Sequence, residues 1–335
     1  MFIFLLFIYQ IMTRCFLYII FFLLSITISA QEDVFDRQNK EIIQRNKIKA
    51  YTQWNHAIKN GVAAAEGYKN GYYTFDDNGN LTELIIYKAD GKVFSMESYK
   101  YDSIRDIMTG YVRYDGNRGQ IVYKKAFRYD QNGNKLREVG FDGQSNYKND
   151  YVYDANGNLT EIVYYIRDIL FQRRKFVYSG NNRTINVYNN EEKFDFKIEQ
   201  KFDAKGNIIE DIEYQPDGTE KMRYAYKYNA SGDKIEEYMY EFGNLSYKKT
   251  YEYNGKKLVR ITQYTPEGNQ FDACKYEYNA QGLLAVEYFR KKSSQDFSTK
   301  TYTYNNMGIC MEMESYYASY KYRVLFKFTY EYFDK

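Results

Sequence analysis

Residues 151–165 read YVYDANGNLTEIVYY, and the fold turns on this stretch. Tyr151 and Tyr153 are separated by Val152, so in an extended strand both rings leave from one face and the valine from the other. Asp154, Ala155, Asn156 and Gly157 then carry turn chemistry. An aspartate can accept hydrogen bonds from its own turn, and glycine adopts positive φ without steric cost. A type I turn closed by a bulge glycine fits this order, as does a tight Asn-Gly turn. Residues 159–165 return as a strand rich in β-branched and aromatic side chains.

Near-copies recur along the chain. Their second aromatics are Phe75, Tyr101, Tyr129, Tyr153, Tyr178, Phe202, Tyr228, Tyr253, Tyr278, Tyr304 and Tyr332, spaced 24 to 28 residues apart. A glycine follows four positions later at Gly79, Gly133, Gly157, Gly206, Gly232, Gly282 and Gly308, whereas the Tyr253 copy has it early, at Gly255. Half a period on, a second turn signal appears as Asp90-Gly91, Asp142-Gly143, Pro216-Asp217-Gly218 and Pro266-Glu267-Gly268. Each repeat therefore holds two strands and two turns. No gap is long enough for a helical crossover, which excludes a parallel sheet. The expected fold is all-β: one elongated, curved antiparallel meander of about ten two-stranded repeats, with a short N-terminal helix or capping arm.

The Y-x-Y-D-x-x-G-N-L pattern, best kept at Phe75, Tyr129 and Tyr153, resembles the tyrosine–aspartate (YD) repeats of RHS-type proteins over residues 68–335. The resemblance implies an extracytoplasmic protein with a long curved β-sheet, and a link to carbohydrate binding or to enclosing toxin domains. The chain is far shorter than a toxin-enclosing member, and the last repeat is followed by no distinct effector domain. A closed shell is therefore not expected.

Residues 1–30 hold no acid, no lysine and the single Arg14, then an apolar run ending in Ile28-Ser29-Ala30 before Gln31. This reads as a signal peptide cleaved after Ala30, with Met12 as a possible start; an uncleaved membrane anchor is the rival reading. Cleavage removes Arg14 and lowers the net charge from +3 to +2, a balance that implies neither nucleic acid nor an anionic surface as partner. Residues 31–67 form an N-terminal unit. Within it, 33–49 place Phe35, Ile42, Ile43 and Ile48 among charges as an amphipathic helix or cap. Residues 49–55, with the sole tryptophan Trp54, read as a first strand, and 56–67 as a loop.

The two faces of the array differ. Between the paired aromatics stand Lys100, Arg128, Val152, Val177, Lys201, Lys227, Glu252, Glu277, Thr303 and Glu331, a mostly wet face. The tyrosine face carries the rings with Leu81, Leu159 or Ile208. A three-residue loop would set Tyr153 opposite Leu159 and Tyr151 opposite Glu161, so the recurring Glu83, Glu161, Glu210, Glu236 and Glu312 are expected on the tyrosine face.

Forty-one tyrosines suggest ring packing across strands, with a subset free to stack on sugar rings. The candidate ligand-stacking residues are Tyr151, Tyr153, Tyr226, Tyr228, Tyr251, Tyr253, Tyr276 and Tyr278. The repeated glutamates are alike in every copy, whereas a glycosidase pair needs unlike environments. The D-x-N-G turns are too short for a calcium-binding EF-hand loop. His56 is the lone histidine, which rules out a zinc site or a histidine-activated nucleophile built on two partners. No catalytic residue, cofactor or metal is expected. The reading is an exported envelope protein, periplasmic, surface-bound or extracellular, with no membrane span after cleavage. Its partner would be a glycan or another secreted protein, bound by a scaffold module or enclosed by an accessory, immunity-like one. After cleavage Cys274 and Cys310 remain, three ladder steps apart in this register and so roughly 14 Å from each other, too far for a disulfide.

Overall fold

The computed structural model describes residues 34–116, 118–290 and 296–334. The expected leader, its Ala30 cleavage point and the N-terminal charge lie outside them. Helix α1 (Val34–Arg45) opens the described chain and leads into strand β1 (Ile48–Lys59). Residues 56–67 are not the loop expected from sequence. Strand β1 runs on to Lys59, turns through Asn60 and Gly61 at positive φ, and pairs with the two-residue β2 (Val62–Ala63) before β3 (Tyr68–Phe75).

From β3 onward each strand pairs antiparallel with the next, as the two-turn repeat requires. The open meander, however, is not what forms. Strand β1 pairs with β3 along one edge and with the last strand, Tyr322–Tyr332, along the other. Twenty-two strands thus close into an antiparallel barrel, with β2 only extending the first hairpin. The physical reason lies in the register. A bulge interrupts most strand pairs beside the turns, for example between Leu159 and Glu161, Phe202 and Lys201, or Tyr214 and Glu213. Each bulge adds twist and bend to the sheet. Accumulated round the array, these bends bring the two ends together at β1. Closure also satisfies the edge N–H and C=O groups that an open meander would leave bare.

Helix α1 straddles that seam. Ile42 and Ile43 are buried against Ile48, Phe75 and Ile309, with Tyr73, Leu81, Leu283, Met311 and Tyr330 around them. These contacts come from both ends of the chain, so the helix packs on the tyrosine face where the first and last strands meet. Lys40 Nζ donates to Asn80 Oδ1 (2.7 Å), and Arg45 Nη2 donates to the Met307 carbonyl (3.2 Å), one on each side of the seam. Each isoleucine contributes about 2–5 kcal/mol by the usual cost of a large-to-alanine truncation.

Buried residues concentrate on this same face: Ile162, Tyr164, Arg174, Ile185, Val187, Ile198, Gln200, Glu237, Tyr251 and Leu284. The tyrosine face therefore lines the interior. At about 4.8 Å per strand the girth is roughly 105 Å, far beyond the eight strands whose side chains fill a barrel. Apart from those of α1, the side-chain contacts named among the described residues on this face run between nearby strands, and a wall of this girth leaves a lumen inside it. Cys274 and Cys310 are free and stand on strands three pairings apart, as the repeat register requires.

Candidate functional site

The rim at the D-x-N-G turns is built by side chain–backbone bonds. Asp154 Oδ1 accepts from the N–H of Asn156 (2.9 Å) and Asn158 (2.8 Å), and Oδ2 accepts from Asn158 Nδ2 (3.0 Å). The Gly157 N–H bonds the Asp154 carbonyl (3.0 Å) with φ at +81°, a type I turn closed by a bulge glycine. Asp130 and Asp203 repeat the pattern. The Asn158 side chain, with the backbone bonds, holds the Asp154 carboxyl below its usual range. These oxygens are engaged by the turn itself, which accounts for the D-x-N-G signal without a metal.

The second tyrosine of each pair has a structural task. The Tyr153 hydroxyl donates to the Lys135 carbonyl (3.0 Å), Tyr228 to Ile208 (2.9 Å), Tyr253 to Lys234 (3.0 Å) and Tyr278 to Leu258 (2.8 Å). Tyr129, Tyr178 and Tyr304 bond Met108, Leu159 and Leu284 in the same way, and in the last copy it is the first tyrosine, Tyr330, that bonds Cys310. In every case the acceptor is the first or second residue of the preceding return strand, at the pairing where the bulge breaks the ladder. The hydroxyl satisfies a carbonyl next to that break, so each hairpin locks the bulge of the one before. Tyr153, Tyr228, Tyr253 and Tyr278, four of the eight stacking candidates, are thus latches.

The first tyrosines stand differently. Tyr226 and Tyr251 flank one lysine: Lys234 Nζ lies 5.4 Å from the Tyr226 ring and 4.9 Å from the Tyr251 ring. The same Nζ donates to Glu237 Oε2 (2.6 Å), which also accepts from the Tyr251 hydroxyl (3.1 Å). Tyr247 donates to Oε1 (2.9 Å), and Lys249 lies 3.4 Å from it. Burial alone would raise the Glu237 carboxyl, but Lys234, Lys249 and the Tyr247 hydroxyl outweigh it and hold it at about 2. Burial and the Glu237 charge push Tyr247 and Tyr251 well above the ordinary phenol range. Tyr224 stacks parallel to Tyr226 at 6.3 Å.

A second copy lies four repeats earlier. Lys135 Nζ sits 4.8 Å from the Phe127 ring, 5.3 Å from the Tyr151 ring and 3.4 Å from Glu138, which accepts from the Tyr147 hydroxyl (3.0 Å). The remaining candidate, Tyr276, borders the apolar cluster of Leu284, Tyr302, Cys310 and Phe328. Sequence reading missed Lys135, Glu138, Lys234 and Glu237. Their signal is a lysine six and a glutamate nine residues after the second aromatic, found at Tyr129 and Tyr228. Leu284 replaces the lysine after Tyr278.

The glutamates expected on the tyrosine face are on the other one. The bulge sets Glu161 opposite Val152 and Ile162 opposite Tyr151, and a one-residue slip moves a side chain to the opposite face. There they pair with cations: Glu161 with Arg173 (2.7 Å), Glu210 with Lys201 (2.5 Å), Glu236 with Lys227 (2.7 Å) and Lys248 (3.1 Å), and Glu312 with Lys327 (3.3 Å). Val152, 45% exposed, confirms that this outer face is wet. His56 is buried with Nδ1 2.9 Å from the Ala64 carbonyl, a structural placement.

Grooves lie between successive turns on the rim. One of about 370 Å³ is lined by Asp130, Asn134, Tyr151, Tyr153 and Asp154. Another of about 760 Å³ is lined by Lys201, Asp203, Lys205, Glu210, Tyr226 and Tyr228. Both therefore include a first tyrosine, its latch partner and two neighbouring turns.

No protein-family profile matches the chain, and no curated protein matches it. Among solved structures, it is similar to the crystal structure of TcdB2-TccC3 (11% identity, TM-score 0.28), with 83% of this chain and 19% of that chain covered. It is also similar to a porin-like protein from Bacteroides uniformis ATCC 8492 (12% identity, TM-score 0.27, covering 85% of this chain and 98% of that chain). A third is a porin-like protein from Bacteroides vulgatus ATCC 8482 (9% identity, TM-score 0.22, 85% and 98% covered). The chain spans less than a fifth of the TcdB2-TccC3 chain, and none of these likenesses identifies a function.

Proposed function

We propose that the chain is an exported, non-catalytic barrel of the YD-repeat kind that binds glycan on its luminal tyrosine face. One observation carries the reading: Lys234 between the Tyr226 and Tyr251 rings, repeated as Lys135 beside Tyr151. Flat aromatic faces beside hydrogen-bonding charged groups suit a sugar, which offers C–H faces and hydroxyl edges together. Glu138 and Glu237 share the same surroundings of lysine and phenol, so they do not divide into an acid and a base, which supports a binding role.

The outer face carries charge at mid-strand, with Arg173 paired to Glu161 and Lys248 to Glu236. A membrane-spanning barrel needs an outward apolar band, and each Lys or Arg at its midplane costs about 2–4 kcal/mol. This supports a location in the envelope or medium but in water. The closed wall also favours a second reading, in which the lumen encloses a segment of a partner protein.

Calorimetric titration with a panel of neutral and acidic oligosaccharides tests the first reading. Tyr226→Ala and Tyr151→Ala should weaken binding at least tenfold, while Val152→Lys outside should leave it unchanged. Sugar binding that is lost only through outer-face changes, or peptide binding with no sugar binding, would discard it.

A further inference from the structure

Arg173 and Arg174 are neighbours on one strand, Ile169–Ser179, and meet opposite fates. Arg173 points outward and is paired with Glu161 (2.7 Å) and Glu192 (3.0 Å). Arg174 points into the lumen and is only 4% exposed. Its cross-strand neighbours are Ile162 and Val187, and its guanidinium lies 5.3 Å from the Tyr164 ring. Its Nε donates to Gln172 Oε1 (2.9 Å). Among the described residues no carboxylate lies within ion-pair distance of it. The other luminal clusters set the contrast, since Glu138 and Glu237 each hold a lysine.

A guanidinium withdrawn from water without a counter-charge is costly, and a fold keeps one where something compensates it. Its terminal nitrogens form a planar fork matched to a carboxylate, and the Gln172 amide, 7% exposed, brings further N–H donors beside it. Tyr164 and the Tyr151–Ile162 pairing supply aromatic and apolar wall next to the fork. We infer that Arg174 and Gln172 form a luminal carboxylate-binding site that receives the acid group of a uronic-type sugar. The inference rests on the glycan-binding reading of the lumen and narrows it to acidic glycans.

Three probes test it: an oligomer of a hexuronic acid, its methyl ester, and a short peptide with a free C-terminal carboxylate. The acid should bind at least tenfold tighter than the ester, and Arg174→Met should abolish that preference while Arg174→Lys retains part of it. Thermal melting without ligand separates binding from structure. Arg174→Met should melt at or above the wild-type temperature, because removing a buried charge that has no counter-ion offsets the lost Gln172 hydrogen bond and Tyr164 ring contact, and the hexuronate should raise the melting temperature of the wild type only. A lower melting temperature for Arg174→Met with the acid preference intact would overturn the inference. Equal binding of acid and ester by the wild type would overturn it while leaving the glycan reading in place. Binding of the peptide alone would keep the carboxylate site and discard the glycan reading. Binding of none of the three would discard both.

Discussion

The Tyr153 hydroxyl donates to the carbonyl of Lys135, the residue that pairs with Tyr129 at the preceding bulge. One hairpin thereby holds the irregularity of the hairpin before it, and the contact repeats around the barrel wall. Replacing the hydroxyl leaves a carbonyl without its partner, a loss of about 1–3 kcal/mol. Tyr153→Phe and Tyr253→Phe should each lower stability by that amount in urea denaturation. Phe202→Tyr should cost less than 1 kcal/mol, as an added hydroxyl at a site already built without one. Phe variants as stable as the wild type would show that the latch is incidental.

Gly157 stands at φ +81° with open space where a Cβ would point, so its substitution probes backbone strain alone. Gly157→Val should destabilise by about 1–3 kcal/mol. Val152→Lys should change stability by less than about 0.5 kcal/mol, since Lys201 and Lys227 already occupy the equivalent outer position. The opposite ranking in chemical denaturation would refute the turn and face assignments together.

Glu237 is held at about 2, below the 4.5 of a free glutamate. A lowered carboxylate stabilises the folded state above its unfolded pKa, and that contribution is lost as pH falls through the folded one. Stability should therefore decline between about pH 4.5 and 2. Glu237→Gln should flatten this window, whereas Glu236→Gln on the outer face should flatten it less, because its ion pairs are screened by solvent. Melting temperatures taken across the window decide the point.

Closure makes its own prediction. In an open meander every second amide of β1 and of the last strand would face water. In the barrel β1 is bonded on both sides, for instance Gln53 opposite both Phe328 and Gly71. Hydrogen exchange should find the amides of Ile48–Lys59 and Tyr322–Tyr332 protected as well as those of a mid-wall strand. Fast exchange along one edge of either strand would mean that the ends do not meet.

The sequence by itself determined what is local. Tyr151-Val152-Tyr153 followed by Asp154 and Gly157 specifies strand, turn and return, because the aspartate oxygens and the glycine φ act within five residues. The 24–28-residue period determined the antiparallel order and kept Cys274 from Cys310. Val152 on the wet side was legible for the same reason.

Tertiary structure decided the rest. The bulge at Thr160 shifts the register by one residue and carries Glu161 to the outer face, an effect of strand pairing that a count from the turn does not contain. The task of Tyr153 depends on a carbonyl 18 residues away. The meeting of β1 with the last strand depends on small bends summed over the whole wall, which no single repeat reveals. The lone charge of Arg174 is likewise a fact of the lumen: in sequence it sits beside Arg173 and looks the same, and only the alternation of a strand inside a closed wall separates the paired arginine from the unpaired one.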